Sequence, residues 1–277
     1  MAMSGELAHL SWADYVALPL VNHSRLKRLK ESPWHYQNPP KQKSPSADLL
    51  FGTAFHALLL EPGRFAERYV PAPEGGKNSN AYKAAAAELV AQQKEPISAS
   101  DWARLHSMRE AVLNDPYAGP LFQSGQAELT GIFTDPETGL EGKVRIDWLP
   151  ELFPNVMVDL KSTRSGNPDS LRKSCWDYGY HTQGAFYGLA WEMIFGQPPE
   201  AFIFVFVEKP DDPEDTPLPP QLYELSRDYR QAGEQQIRQW LNLLKDCLVT
   251  YGDEPWPHYT RGLTELNAPY WAKRSQE

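Results

Sequence analysis

Apolar residues recur at helical spacing through most of the first 115 positions, and the texture changes to strand-like alternation near Gln126. Ser11 is placed to cap a short helix through Leu18, and Ser24 a second one over residues 25–31 with a basic face. Pro33, Pro39, Pro40 and Pro45 mark an irregular connection. Ser46 opens an apolar helical run over residues 47–60 that stops before Pro62. Residues 63–70 read as a further short helix, residues 74–80 as a loop, and residues 81–95 and 100–114 as two helices. The second carries Trp102, Leu105, Met108 and Val112 on one face.

Strands are predicted over residues 127–134, 143–148 and 156–161, with Asp135-Pro-Glu-Thr-Gly139 as the turn after the first. Helical texture returns over residues 169–195. Residues 201–208 are β-branched and aromatic enough for a buried strand. A Pro/Asp loop, an edge strand at 221–225 and a long amphipathic helix over 228–251 follow. Trp256, Tyr270 and Trp271 give the tail enough apolar surface to dock. The order helix, three strands, helix, strand predicts an α/β fold with a mixed central sheet flanked by helices. Residues 1–120 then form a helical elaboration, residues 121–251 the core and residues 252–277 a docked tail of one domain.

Composition narrows the function classes. The 277 residues are 41% hydrophobic and 23% charged, which is ordinary globular usage. No apolar run is long enough to cross a bilayer, and the first residues do not resemble a secretory signal. Cys175 and Cys247 are too few for a four-cysteine zinc or iron–sulfur site, and free thiols of a cytoplasmic protein are the simplest reading. The net charge of −9 argues against coating nucleic acid electrostatically but not against gripping it in a local channel. Residues 1–43 carry a basic excess, with Arg25, Lys27 and Arg28 at its centre.

The chemistry concentrates in two predicted strands. In Lys143-Val-Arg-Ile-Asp147 and Val156-Met-Val-Asp-Leu-Lys161, apolar and charged positions alternate, so Val144, Ile146 and Trp148 are expected on one face and Lys143, Arg145 and Asp147 on the other. Asp159 and Lys161 point the same way. Paired strands would bring Asp147, Asp159 and Lys161 together. Two close carboxylates repel unless a cation lies between them, which suggests a hard divalent metal. An adjacent ammonium suits the charge that develops on a phosphate under attack. Further candidates are Glu128 in the first strand, and Gln183 and Tyr187, four apart on one helix face. His56 is another, on an apolar helix four residues after Gly52, whose missing side chain allows a close approach there.

With these residues the chain resembles the PD-(D/E)xK nuclease superfamily, and within it the exonuclease VIII (RecE-like) branch of phages and prophages. The matching stretches are Ser32-Pro-Trp-His-Tyr36, Phe51-Gly-Thr-Ala-Phe-His56 with Leu60-Glu-Pro62, Glu128, Lys143-Val-Arg-Ile-Asp147, Val158-Asp-Leu-Lys161 and Gln183-Gly-Ala-Phe-Tyr187. Asp-x-Lys alone is common by chance; the ordered set is specific. Ile146 stands where the superfamily name has proline, a position at which many members vary.

The resemblance implies a restriction-endonuclease-like core and one or two Mg²⁺ or Mn²⁺ ions held by Asp147, Asp159, the Leu160 carbonyl and His56. It implies that Lys161 positions the attacking water and stabilises the phosphate. Glu128 would hold a second ion or its water, and Gln183 and Tyr187 would orient Lys161 or a DNA phosphate. The family degrades linear duplex DNA from 5′ ends to mononucleotides, leaves a 3′ strand for an annealing protein, and assembles as rings, here expected to be a trimer or tetramer. Such a protein works in the cytoplasm of a bacterial or phage-infected cell.

Plainer readings stand beside these. Asp159 and Lys161 suit an exposed ion pair, His56 a hydrogen-bonded core histidine, and Glu128, Gln183 and Tyr187 ordinary strand or helix positions. Arg145 suits a phosphate contact better than a solvated charge. Residues 25–30 suit either a wet face or a DNA channel, and Trp34, His35 and Tyr36 core packing or base stacking. Competing functions are a RecB-like or structure-specific endonuclease, which plasmid nicking would reveal, and a non-catalytic DNA-end-binding module, in which Asp159→Ala would change no activity.

Overall fold

The computed structural model describes residues 6–40, 46–73, 75, 79–260 and 263–268. The chain begins with β1 (Leu7–His9), α1 (Trp12–Ala17), α2 (His23–Leu26), a 3₁₀ turn (Lys27–Lys30) and α3 (Pro33–Gln37). It continues through α4 (Ala47–Leu60), α5 (Pro62–Arg68), β2 (Tyr69–Pro71), α6 (Asn80–Ala91), β3 (Glu95–Ile97), α7 (Ala99–Asn114) and α8 (Gly119–Phe122). Then come β4 (Gly125–Thr134), β5 (Glu141–Pro150), β6 (Val156–Thr163), α9 (Pro168–Asp177), α10 (Tyr180–Phe195), β7 (Ala201–Glu208), β8 (Gln221–Glu224) and α11 (Arg227–Tyr251).

Serine side chains start many of these helices. Ser11, Ser46, Ser79, Ser98 and Ser226 each accept the backbone N–H three residues on, satisfying a donor the helix cannot. The second helix begins two residues earlier than its pattern suggests: Asn22 is the cap, and Ser24 lies inside. The proline-marked connection holds α3, because Ser32 caps it and Pro33 occupies its first turn, where a missing N–H costs nothing. The stretch 169–195 is two helices, broken at Gly179, whose φ of +72° suits a residue without a side chain. The helices expected over 63–70 and 81–95 give way at their ends to β2 and β3, a small parallel sheet.

The central sheet has the order β1-β4-β5-β6-β7-β8, with β6 and β7 parallel and every other neighbouring pair antiparallel. It is the mixed α/β sheet expected. One face packs against α4, α5, α7 and α8 through Phe55, Leu58, Leu105, Val158 and Leu160. The other packs against α10 and α11 through Phe133, Ile146, Met157, Phe186 and Leu241. The Asp135 turn is pinned from outside: Asp135 accepts from the Thr138 amide at 2.9 Å and pairs with Arg238 of α11. Of the tail, Trp256 is buried and stacks on Tyr36, rings 5.6 Å apart at 3°. Tyr270 and Trp271 lie outside the described residues.

The expected single apolar face of β5 does not hold. Ile146 packs on the α10 side, whereas Trp148 packs on the α4 side with Val158. The partner strand switches likewise, Leu129 packing on one side and Ala127 on the other. The change occurs between Glu128 and Asp147, which stand across from each other between the paired residues Ala127–Trp148 and Leu129–Ile146. Glu128 has a φ of +55°, a conformation that interrupts the pleat and so breaks the alternation. The charged faces are not open either: Lys143, Arg145 and Asp159 are all buried.

Candidate active site

The strands part where the alternation breaks. β5 and β6 pair at Trp148–Val158, and beyond that point the Asp147 carboxylate takes the place of a ladder acceptor, receiving the Leu160 amide at 3.1 Å. The opening so made lies under α4. Gly52 of that helix faces Ser162, whose hydroxyl would stand 3.1 Å from an added Cβ, so it is a strand of this protein that comes close there. One turn on, His56 reaches β6 and its Nε2 meets the Leu160 carbonyl at 2.6 Å. A carbonyl only accepts, so Nε2 carries the proton and Nδ1 the lone pair. Nδ1 lies 3.7 Å from the Asp147 carboxylate. Burial, then the Lys161 charge, push the His56 pKa down to about 4, leaving a neutral ring able to ligate.

His56, Glu128 and Asp147 form a three-residue group whose donor atoms lie within 4.8 Å of one another. The unusual backbone at Glu128 carries its side chain into this group, as strained residues at functional sites do. Asp147 is held well above the ordinary carboxylate range by burial and by the neighbouring Asp159 charge, the condition a cation relieves. An imidazole and two carboxylates are a donor set for a divalent ion, so the residues fit the metal that the sequence suggested.

Asp159 and Lys161 form a buried ion pair rather than an exposed one, and Gln183 donates to the other Asp159 oxygen at 2.5 Å. Burial alone would lower the Lys161 pKa, but Asp159 and then Asp147 outweigh it and raise it, so the side chain is an ammonium. The ammonium lies 5.1 Å from the centre of the Tyr180 ring. Tyr180, Gln183 and Tyr187 share one face of α10, and the same spacing that pointed to the last two could have found the first.

Several of the expected site side chains have partners within the protein. Gln183 donates to Asp159, the ion-pair partner of Lys161, and the Tyr187 hydroxyl donates to the Arg145 carbonyl at 2.9 Å, bracing β5. Arg145 is 7% exposed, pairs with Glu128 and donates to the Leu10 carbonyl at 3.1 Å, so its guanidinium is engaged within the protein. Arg28 donates to the His35 carbonyl at 2.7 Å. Lys27 donates to the Tyr178 carbonyl at 2.9 Å, and its pKa is lowered by burial and by repulsion from Lys30 and Lys161, which places it beside the site. Arg25 is exposed, with its guanidinium 4.6 Å over the Tyr36 ring.

A family model described as a PDDEXK-like domain of unknown function, DUF3799, matches residues 22–261. The chain belongs to this PDDEXK-like family. The match spans every site residue named above from α2 to the tail. No curated protein matches the sequence. Among solved structures, the PDDEXK-like chain is similar to a Eubacterium rectale protein described as a "putative exonuclease", with 16% identity, a TM-score of 0.57, and 94% of this chain and 97% of that one covered. A phage-related exonuclease from Haemophilus somnus 129PT has 13% identity and a TM-score of 0.34, with 86% and 98% covered. The first likeness shows a shared fold. Family and fold together support a nuclease. Among the described residues, no helix is long and apolar enough to cross a membrane.

Proposed function

We propose that the protein is a metal-dependent exodeoxyribonuclease that degrades linear double-stranded DNA from its 5′ ends to mononucleotides. The observation that carries this reading is the cluster of His56, Glu128 and Asp147 beside the Asp159–Lys161 pair. His56, Glu128 and Asp147 would hold the ion, Mg²⁺ or Mn²⁺, with Asp159 and the Leu160 carbonyl adjoining. When bound, it supplies Lewis-acid stabilisation of the phosphate and a more acidic attacking water.

The chain's own residues do the rest. Lys161 offers a positive charge to the phosphate oxygens as negative charge develops there. Asp159 and the Tyr180 ring hold that ammonium in place, Gln183 holds Asp159, and Tyr187 fixes the β5 backbone that carries Asp147. Arg145 pairs with the Glu128 carboxylate and orients it. Arg25 and Lys27 supply cations for DNA phosphates at one side of the site.

The 5′→3′ direction, the 3′ single strand left for an annealing partner in recombination, the ring-shaped homo-oligomer and the cytoplasmic setting rest on the resemblance to the exonuclease VIII branch. The order of elements along the chain supports residues 1–277 as one nuclease domain. The description of the Eubacterium rectale protein agrees with exonuclease action. The test is digestion of a linear duplex labelled at the 5′ or the 3′ end, with Mg²⁺, Mn²⁺ or EDTA, for wild type and Lys161→Ala, beside closed circular DNA. Metal-dependent release of the 5′ label as mononucleotide, with circles intact and the variant inactive, is expected. Nicked circles would make the enzyme an endonuclease, and no cleavage with either metal would remove the nuclease reading.

A further inference from the structure

Trp12 is 62% exposed although it begins a capped helix whose Tyr15 is buried. Its neighbour one turn on, Val16, is 56% exposed, so α1 turns an apolar face outward. Trp12 is nonetheless held. Its ring stacks on Tyr15 with centroids 5.8 Å apart at 26°, and the Arg145 guanidinium lies 5.7 Å from it. Beneath, Lys143 fixes Tyr15 by donating to its carbonyl at 2.5 Å and lying 4.5 Å over its ring. A large flat ring is thus fixed in orientation while much of it remains in water.

Its position relates it to the chemistry. β1 pairs with β4 up to His9–Leu129, so the chain leaves the sheet at the level of Glu128 and turns at once into α1. Arg145 touches the Trp12 ring and pairs with Glu128, a member of the three-donor cluster. Only one side chain stands between the exposed indole and a metal-site carboxylate. A polymer held with a phosphate at that cluster would bring a flat, apolar base face within reach of the indole, and stacking accepts any base.

Resting on the nuclease reading above, we propose that Trp12 is a positioning residue that stacks on a nucleobase of the strand being cut and so sets the scissile phosphate at the metal site.

The probe is a fluorescein-labelled duplex oligonucleotide bearing a single abasic position at each of its first three nucleotides in turn, with an intact duplex as reference. Affinity is read by anisotropy in Ca²⁺ and cleavage in Mg²⁺. For wild type, one abasic position weakens binding or raises KM about tenfold, in line with the loss of one stacked base. Trp12→Ala should show that loss on intact DNA and no further loss on the abasic duplex, while Trp12→Phe stays near wild type. If Trp12→Ala responds to the abasic position as strongly as wild type does, or binds intact DNA normally, the proposal fails. A changed oligomer mass with that response unaltered would show that the face packs against a second copy of the chain, and would also overturn it. A wild type that binds but does not cut removes the nuclease reading and leaves the anisotropy comparison to judge Trp12; one that does neither removes both.

Discussion

The His56 ring bridges helix and strand, donating from Nε2 to the Leu160 carbonyl at 2.6 Å and turning Nδ1 towards Asp147. The carbonyl fixes the tautomer, so the free lone pair is aimed before any ion arrives. His56→Ala should lower Mn²⁺ affinity by at least about tenfold, the scale on which groups around a metal act. Isothermal titration with Mn²⁺ reads this directly, and an unchanged affinity would remove His56 from the ligand set.

Asp147 is a poor neighbour for Asp159 in the metal-free protein, since burial and repulsion both disfavour its charge. Asp147→Asn should therefore leave metal-free stability unchanged or raise it, while abolishing cleavage. Wild type should gain about 2.7 kcal/mol at a metal concentration a hundred times its Kd, and the variant none. Thermal unfolding with and without Mn²⁺ checks both, and a lowered metal-free midpoint for the variant would contradict the account.

Lys161 holds Asp159 in an ion pair in addition to the chemical role proposed for it. Lys161→Ala leaves Asp159 buried without its ion-pair partner, at a cost of about 3 kcal/mol in stability. The rate should fall about a hundredfold or more. Urea unfolding and single-turnover cleavage separate the two effects: an inactive variant of normal stability would mean that Asp159 is held by Gln183 alone.

His23 makes the protein acid-sensitive. Burial, then the Lys27 charge, lower its pKa from 6.5 to about 3, and its Nε2 is paired with the Thr182 hydroxyl at 2.9 Å. Below pH 6.5 the unfolded chain takes up a proton that the folded protein refuses. Its contribution is thus present above 6.5 and lost as pH falls towards 3. The loss approaches about 1.4 kcal/mol per pH unit once the unfolded histidine is charged. Denaturation between pH 4 and 7 should show a shallower slope for His23→Gln than for wild type; equal slopes would place the acid sensitivity elsewhere.

The sheet and much of the site were legible because alternation and capping are local signals. Ser46 and the run to Leu60, the Asp135 turn and the buried strand at 201–208 all follow from neighbouring residues. β1, β2 and β3 are three residues each, too short to show a period. The α3 start was present in Ser32-Pro33 but outweighed by the prolines around it. Partner choice was hidden for another reason. Arg145 meets Glu128 through strand register, and Lys143 meets Tyr15 across 128 positions, neither of which alternation encodes. The face change at Glu128 and Asp147 was invisible because pattern reading assumes an unbroken pleat, and the break coincides with the candidate metal-binding cluster.

The tail closes over α3 as a clasp. Gln37 donates to the Glu254 carbonyl at 2.8 Å and accepts from the Trp256 amide at 2.9 Å, while Trp34 donates to the Pro257 carbonyl at 2.9 Å. Gln37 and Glu254 are 217 positions apart, so the ribosome makes one half of the clasp long before the other. The early basic segment leans on α3, Arg25 over Tyr36 and Arg28 on the His35 carbonyl. During synthesis that segment emerges well before residues 254–257 can brace it. A nascent chain would thus form its central sheet before residues 254–257 could brace α3 and the basic segment that leans on it.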